Sequence, residues 1–227
     1  MREILSWLDL SQEVSEIFAR LRKETKGMVE PMSFSIVSLF GRDPFLVLIS
    51  CVLSARTRDS VTLPVSLRLF SLVKTPQDLI KLSLLQIEKS IFPVLYYREK
   101  ARNIQILCAQ LLEKHEGKVP STFNELILLR GVGPKTANLV LGVGFGIPAI
   151  CVDTHVHKIC NRLGLVKTTT PIQTEAALKE IVPKENWIEL NRLLVMWGQN
   201  ICVPLSPYCS RCVLYDLCPK QGITSSR

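Results

Sequence analysis

Leu129-Arg130-Gly131-Val132-Gly133-Pro134-Lys135-Thr136-Ala137 lies between two helical patterns, and its reading decides how the rest of the chain is read. Glycines at 131 and 133 allow positive φ and leave their N–H groups bare, while Pro134 presets the first helical φ of the segment that follows. Backbone donors at a helix N-terminus form a site for a phosphate. Two helices joined by such a hairpin can grip a nucleic-acid backbone without reading its sequence. A plain glycine turn would look the same as far as Gly133, and Lys135 shifts the balance. It falls in the first turn of the next helix, where the positive end of the macrodipole disfavours another cation. Partial burial there would leave some neutral amine able to attack an electrophilic carbon. A solvated, phosphate-contacting lysine is the plainer alternative.

Outward from the hairpin, nearly every segment reads as helix, so the expected fold class is all-α. An amphipathic helix follows Ser11, with Glu13, Ile17 and Leu21 in its pattern. Phe45 to Ala55, started by Pro44, is apolar nearly all round and is expected to be central. Asp59–Leu72, Asp78–Leu82 and Leu84–Ile91 come next. A longer helix runs from about Arg98 to Glu116 with Ala101, Ile104, Leu107, Cys108 and Leu111 on one face, ended by Gly117. Ser121 is read as the cap of a helix reaching Leu129, and Pro134 to about Val143 as the helix after the hairpin. Pro171–Ile181 and Glu185–Gln199 complete the set. No run alternates at period two, so a sheet is not expected.

Eighteen residues beyond Lys135, Val152-Asp153-Thr154-His155-Val156-His157 opens another helix, which closes at Gly164. Asp153 reads as an N-cap, a role Thr154 could also fill. A carboxylate held there can also stabilise positive charge developing on a sugar ring. His155 and His157 are two apart, on different helical faces, and are not a metal pair. Both read as structural or phosphate-facing.

The last quarter carries Cys202-x6-Cys209-x2-Cys212-x5-Cys218, with Pro204, Pro207 and Pro219 interleaved. Four thiolates in so short a stretch suit a loop around a metal centre, either tetrahedral zinc or a [4Fe–4S] cube. Only Cys209 and Cys212 form a zinc-type knuckle, and the uneven gaps suit the corners of a cube better. Cys51, Cys108, Cys151 and Cys160 sit mostly among apolar neighbours and read as small core hydrophobes.

With 227 residues, 47% of them apolar, the chain can bury an ample core and is not disordered. Its net charge of +8 makes nucleic acid the leading polyanionic partner. The N-terminus lacks an uninterrupted apolar stretch of the secretory kind, and Phe45–Ala55 is too short to span a bilayer. A soluble, intracellular protein of a reducing compartment is expected, cytoplasmic or nucleoid-associated, with no membrane partner.

Together, Gly131-Val132-Gly133-Pro134-Lys135, Val152-Asp153-Thr154-His155 and the cysteine loop resemble the endonuclease III family of helix–hairpin–helix base-excision DNA glycosylases, over about Asp43 to Pro219. The resemblance implies an all-α, two-lobed fold with a DNA cleft between the lobes. One lobe is a helical barrel over residues 37–147; the other joins 1–36 to 148–227 and holds a [4Fe–4S] cluster on Cys202, Cys209, Cys212 and Cys218. It implies that Lys135 attacks C1′ of a damaged nucleotide, that Asp153 is the essential carboxylate, and that β-elimination cuts the strand 3′ to the lesion. The implied substrates are oxidised pyrimidines in double-stranded DNA and abasic sites, handled by a monomer. Gly131, Val132 and Gly133 would contact the DNA backbone. Arg130 stands where the family commonly has proline and would add a phosphate contact. Arg56 occupies a position often held by glutamine, which fills the gap left by a flipped base, and an arginine can fill it with five donors. Tyr96 is placed as the wedge in the opposite strand.

Two other readings stay open at this stage. A monofunctional mismatch- or uracil-type glycosylase of the same superfamily would often replace Lys135 by tyrosine or serine. A non-enzymatic, metal-stabilised DNA-binding module would keep the hairpin and the charge without needing Lys135 and Asp153 at these spacings.

Overall fold

The fold is all-helical. The computed structural model describes residues 7–227, with side chains from residue 12 onward, and no strand occurs among them. The Met1–Ser6 segment, read above for an export signal, lies outside the described residues. Two compact units form, one from residues 31–149 and one from 1–30 together with 150–227. No helix among the described residues is long and apolar enough to cross a membrane.

The contiguous unit is built on α3 (Pro44–Ser54), whose side chains from Phe45 to Leu53 are all buried. Asp43 starts it, accepting from the N–H groups of Phe45 and Leu46 at 2.9 and 3.1 Å, and Pro44 occupies the first turn. Around it lie α2 (Met32–Phe40), α4 (Asp59–Phe70), α5 (Pro76–Lys81), α6 (Leu84–Ile91) and α7 (Tyr97–His115). The apolar face expected on α7 is buried in full, from Ala101 to Leu111. Glu116 and Gly117, both with left-handed backbone, end that helix, and Gly117 donates to Leu111 O.

Several boundaries differ from the sequence reading. α2 was not expected; Met32 and Ile36 pack into this core, so the unit begins at residue 31 and not at 37. Ala149 also packs here, which sets the far boundary at 149 rather than 147. Thr122, not Ser121, caps α8 (Phe123–Leu126), which stops short of Leu129. After the hairpin, α9 (Pro134–Leu139) widens into a π-helical segment at Val140–Phe145. A Cβ on Gly144 would lie 3.1 Å from the Pro44 Cα, so glycine lets this segment press against the start of α3.

In the discontinuous unit, α1 (Trp7–Glu24) lays Val14, Ile17, Phe18 and Leu21 on a core shared with α10 (Thr154–Arg162), α11 (Pro171–Ile181) and α12 (Trp187–Asn200). Polar ties reinforce the joining of the chain's two ends. Arg20 donates to Val213 O at 2.9 Å and to Asp216 at 2.6 Å, and Arg192 pairs with Glu30. α1 begins at Trp7, earlier than the start expected after Ser11.

Candidate active site and cysteine loop

The hairpin is set by two different glycine geometries. Gly131 has φ +80, a left-handed conformation that glycine adopts without steric cost. Gly133 does not share it: at φ −106 and ψ 178 it is extended and caps α9, with no atom within 4 Å of where a Cβ would stand. Glycine therefore supplies backbone freedom at 131 and open space at 133. The Val132 side chain is buried, and its N–H donates to Leu129 O at 3.1 Å, so that N–H is spent inside the turn. The N–H groups of Gly131 and Gly133 carry no hydrogen bond to other described residues. Arg130 is exposed; its Nε donates to Asn103 at 2.9 Å and its N–H to Gln110 at 2.8 Å, tying the hairpin to α7.

Lys135 stands at the second position of α9 and is exposed, not half-buried. Beneath it lies Cys51 of α3, 3% exposed. Burial pushes the Cys51 thiol up to about 12, and the nearby Lys135 charge acts against that rise. Burial likewise pushes Cys108 and Cys160 up to about 12, so these thiols stay protonated and inert, as core residues do.

In the other unit, Asp153 caps α10. Its Oδ1 accepts from the N–H groups of His155 and Val156, each at 2.9 Å, which fixes the carboxylate to the helix start. Thr154 is the first residue of the helix and not its cap. His155 packs so closely on α12 that a Cβ on Gly198 would lie 2.3 Å from its Nδ1. His157 Nδ1 lies 2.6 Å from Thr174 Oγ1, within a network that includes Asn161 and Thr168. Both histidines thus have structural work.

The loop from Cys202 to Cys218 contains a single-turn 3-10 segment at Cys209–Arg211. Cys202, Cys209, Cys212 and Cys218 are all free thiols and line one cavity, together with Tyr208 and Tyr215. No three His, Cys, Asp or Glu side chains among the described residues converge closely enough to hold one ion. Arg162, 7% exposed at the end of α10, donates to Cys202 Sγ at 3.2 Å, Val203 O at 3.0 Å and Pro204 O at 2.8 Å. Burial raises the thiols of Cys202, Cys212 and Cys218, and at Cys202 the Arg162 guanidinium opposes that rise. Four unbridged thiols around one cavity, with a cation against the first of them, are a donor set that fits an iron–sulfur cluster. Sequence reasoning missed Arg162: an arginine in a helix's last turn reads as a dipole partner, and only the fold shows that it faces the loop.

Arg56 and Tyr96 are exposed, and both have φ 57, an uncommon conformation for residues other than glycine. They occupy the turn after α3 and the corner before α7.

A helical hairpin with a lysine behind it, a capping aspartate and a four-cysteine loop, in that order, define a class. A family model described as HhH-GPD superfamily base excision DNA repair protein matches residues 49–184, and the chain belongs to that superfamily. Within it the similarity is to endonuclease III. Endonuclease III of Thermotoga maritima is 47% identical over 196 residues, covering 84% of this chain and 92% of that one. Endonuclease III homolog 2, chloroplastic, of Arabidopsis thaliana is 42% identical over 184 residues; the match covers 77% of this chain and about half, 48%, of that longer protein. Among solved structures, a trapped endonuclease III–DNA covalent intermediate, an estranged-adenine complex, aligns with a TM-score of 0.82 at 37% identity, over 96% of this chain and 97% of that one.

Proposed function

We propose that this chain is a bifunctional base-excision DNA glycosylase and abasic-site lyase that removes oxidised pyrimidines from double-stranded DNA. The observation that carries the reading is the hairpin: Gly131 and Gly133 present N–H groups at the start of the helix that bears Lys135. Those donors suit a phosphate, and a lysine one turn away is then within reach of the sugar on that strand. The Lys135 amine attacks C1′, the C1′–N bond to the base breaks, and the base departs with its bonding pair and takes up a proton. The amine loses one proton and the sugar ring opens, the C1′–O4′ bond breaking as O4′ takes up a proton, which leaves a protonated imine between Nζ and C1′. Loss of a proton from C2′ then expels the 3′ phosphate, cutting the strand 3′ to the lesion. Asp153, fixed to the helix start by its two backbone donors, supplies negative charge against the cationic sugar.

Cys202, Cys209, Cys212 and Cys218 would hold a [4Fe–4S] cluster, which when bound orders its loop as a structural and DNA-docking element and adds no redox step. Oxidised or ring-saturated pyrimidines stack poorly, so extruding them costs less than extruding intact bases. Arg56 and Tyr96 are read as the residues that hold the duplex open, and Arg130 as an added backbone contact. The protein acts as a monomer inside the cell.

The test is a panel of defined lesion duplexes assayed for base release and strand scission. Release of oxidised pyrimidines with scission 3′ to the site is expected. Base release without scission would favour the monofunctional reading, and binding with neither would favour a DNA-binding module.

A further inference from the structure

Lys100 is only 6% exposed, and nothing in the proposed chemistry uses it. It lies in the first turn of α7, and its ammonium donates to Leu53 O at 2.6 Å, Ala55 O at 2.7 Å and Thr57 Oγ1 at 3.1 Å. An ammonium has three donors, and each has an acceptor here. Leu53 and Ala55 belong to the C-terminal end of α3, where carbonyls lack helical partners and carry the negative end of the dipole. Burial pushes the Lys100 pKa down to about 8, and the three facing oxygens favour the charged form against that push.

The Thr57 hydroxyl joins this cation to a second loop. Besides Lys100 it accepts from the N–H of Leu95 at 3.1 Å. Arg56 immediately precedes Thr57, and Tyr96 immediately follows Leu95. Arg56 and Tyr96, both exposed and both with left-handed backbone, therefore flank a single network centred on the buried Lys100. From the other side, Arg68 of α4 donates to Ser90 O at 2.8 Å and to Phe92 O, anchoring the start of the same corner. Phe92, Leu95 and Tyr96 are about half exposed, so the corner offers an apolar edge beside the Arg56 cation.

We propose that Lys100 and Thr57 are positioning residues that lock the Arg56 turn and the Leu95–Tyr96 corner into one rigid device for holding a duplex open at the lesion. The inference rests on reading Arg56 and Tyr96 as DNA-facing. Two loops that order separately on insertion lose more conformational freedom than a pair ordered in advance. The tie therefore favours the step in which a stacked base must leave the helix. It matters less at an abasic site, where no base has to be unstacked.

Single-turnover base release from an oxidised-pyrimidine duplex is compared with strand cleavage at a preformed abasic site, for wild type and variants. Lys100→Met keeps the length of the side chain without donors, and Thr57→Val keeps shape without the hydroxyl. Each should slow base release roughly 10- to 100-fold, the scale of a small misplacement at a reacting site, while abasic cleavage stays near wild type. Lys100→Arg should recover part of the loss. Lys100→Met should add little to Arg56→Ala, because the residue it positions is already gone. Equal losses in both reactions for Lys100→Met and Thr57→Val, or unchanged base release, would overturn the inference; Thr57→Val decides if Lys100→Met fails to fold. If Arg56→Ala and Tyr96→Ala slow base release while Lys100→Met and Thr57→Val do not, the positioning role fails and the DNA-facing reading stands. If Arg56→Ala and Tyr96→Ala change nothing, that reading fails and the inference falls with it.

Discussion

Arg162 donates from Nη1 to the Cys202 sulfur at 3.2 Å, so the last turn of the helix that Asp153 caps is bonded to the first thiol of the cysteine loop. One nine-residue helix thus has the proposed catalytic carboxylate at its start and the loop's clamp at its end. The cysteine loop and the placing of Asp153 are tied through one helix within a single unit.

Arg162→Leu should therefore weaken both. It strips charged donors from the carbonyls of Val203 and Pro204, and a hydrogen bond from a charged group contributes about 1.5–3 kcal/mol, less where water can replace it. The thermal midpoint should fall, and the brown absorbance near ~400 nm expected of a thiolate-bound cluster should drop per mole of protein. Arg162→Lys should recover only part, since an ammonium cannot reproduce the planar fork. An unchanged midpoint and full absorbance in Arg162→Leu would contradict the clamp.

The two hairpin glycines should fail in different ways. Gly131→Ala has room for its Cβ, whose nearest neighbours lie at 3.7 and 3.8 Å, but must hold φ +80. A left-handed L-residue costs roughly 1–2 kcal/mol, and the urea midpoint should fall accordingly. Gly133→Asp has ordinary φ and open space, so stability should stay within about 0.5 kcal/mol. Its negative charge at the phosphate site should instead weaken binding to undamaged duplexes of every sequence alike. Binding by the wild type should also weaken steeply with salt. Sequence-selective footprints on undamaged DNA would count against this use of the hairpin.

Gly198→Ala should disturb the Asp153 end from a distance. The new Cβ would lie 2.7 Å from His155 Cγ and 2.9 Å from His155 Cβ, close to the backbone, so rotation of the ring alone cannot relieve it. Overpacking of this kind costs about 1–3 kcal/mol, and base release should slow because His155 is two residues from Asp153. Adding His155→Ala should recover the part of the loss owed to the ring and leave the part owed to the His155 Cβ, a coupling that a double-mutant cycle reads directly. Additive losses would mean that the two residues do not share the contact.

What the sequence shows well is local chemistry that names its own structure. Asp43-Pro44 and Asp153 announce helix starts, and the apolar run after Pro44 announces a buried helix. α2 was hidden because Met32–Phe40 has no side-chain cap and begins after Pro31, whose φ and ψ are extended. The π-helical widening at Val140–Phe145 answers to the close approach of Gly144 to Pro44, a contact between residues a hundred positions apart. Lys100 sits beside a clean apolar face on α7, where a lysine ordinarily reads as solvated. Its three acceptors come from the C-terminal end of α3 and the turn that follows, more than forty residues earlier, and no pattern along α7 reveals them. Gly133 misled for the opposite reason: glycine reads as positive φ by default, and here it serves as open space.

The central claim is that the Lys135 amine is the nucleophile, and borohydride trapping on abasic-site and oxidised-pyrimidine duplexes tests it most directly. Wild type should form a reduced covalent adduct, and Lys135→Gln should form none while keeping its fold, because that exposed side chain contributes little packing. Asp153→Asn retains an acceptor for the His155 and Val156 N–H groups and should stay folded, yet slow base release by roughly 10²–10³-fold, the scale of losing one electrostatic stabiliser. Trapping with wild type and none with Lys135→Gln is the predicted result; an adduct in Lys135→Gln at the wild-type rate would place the nucleophile elsewhere.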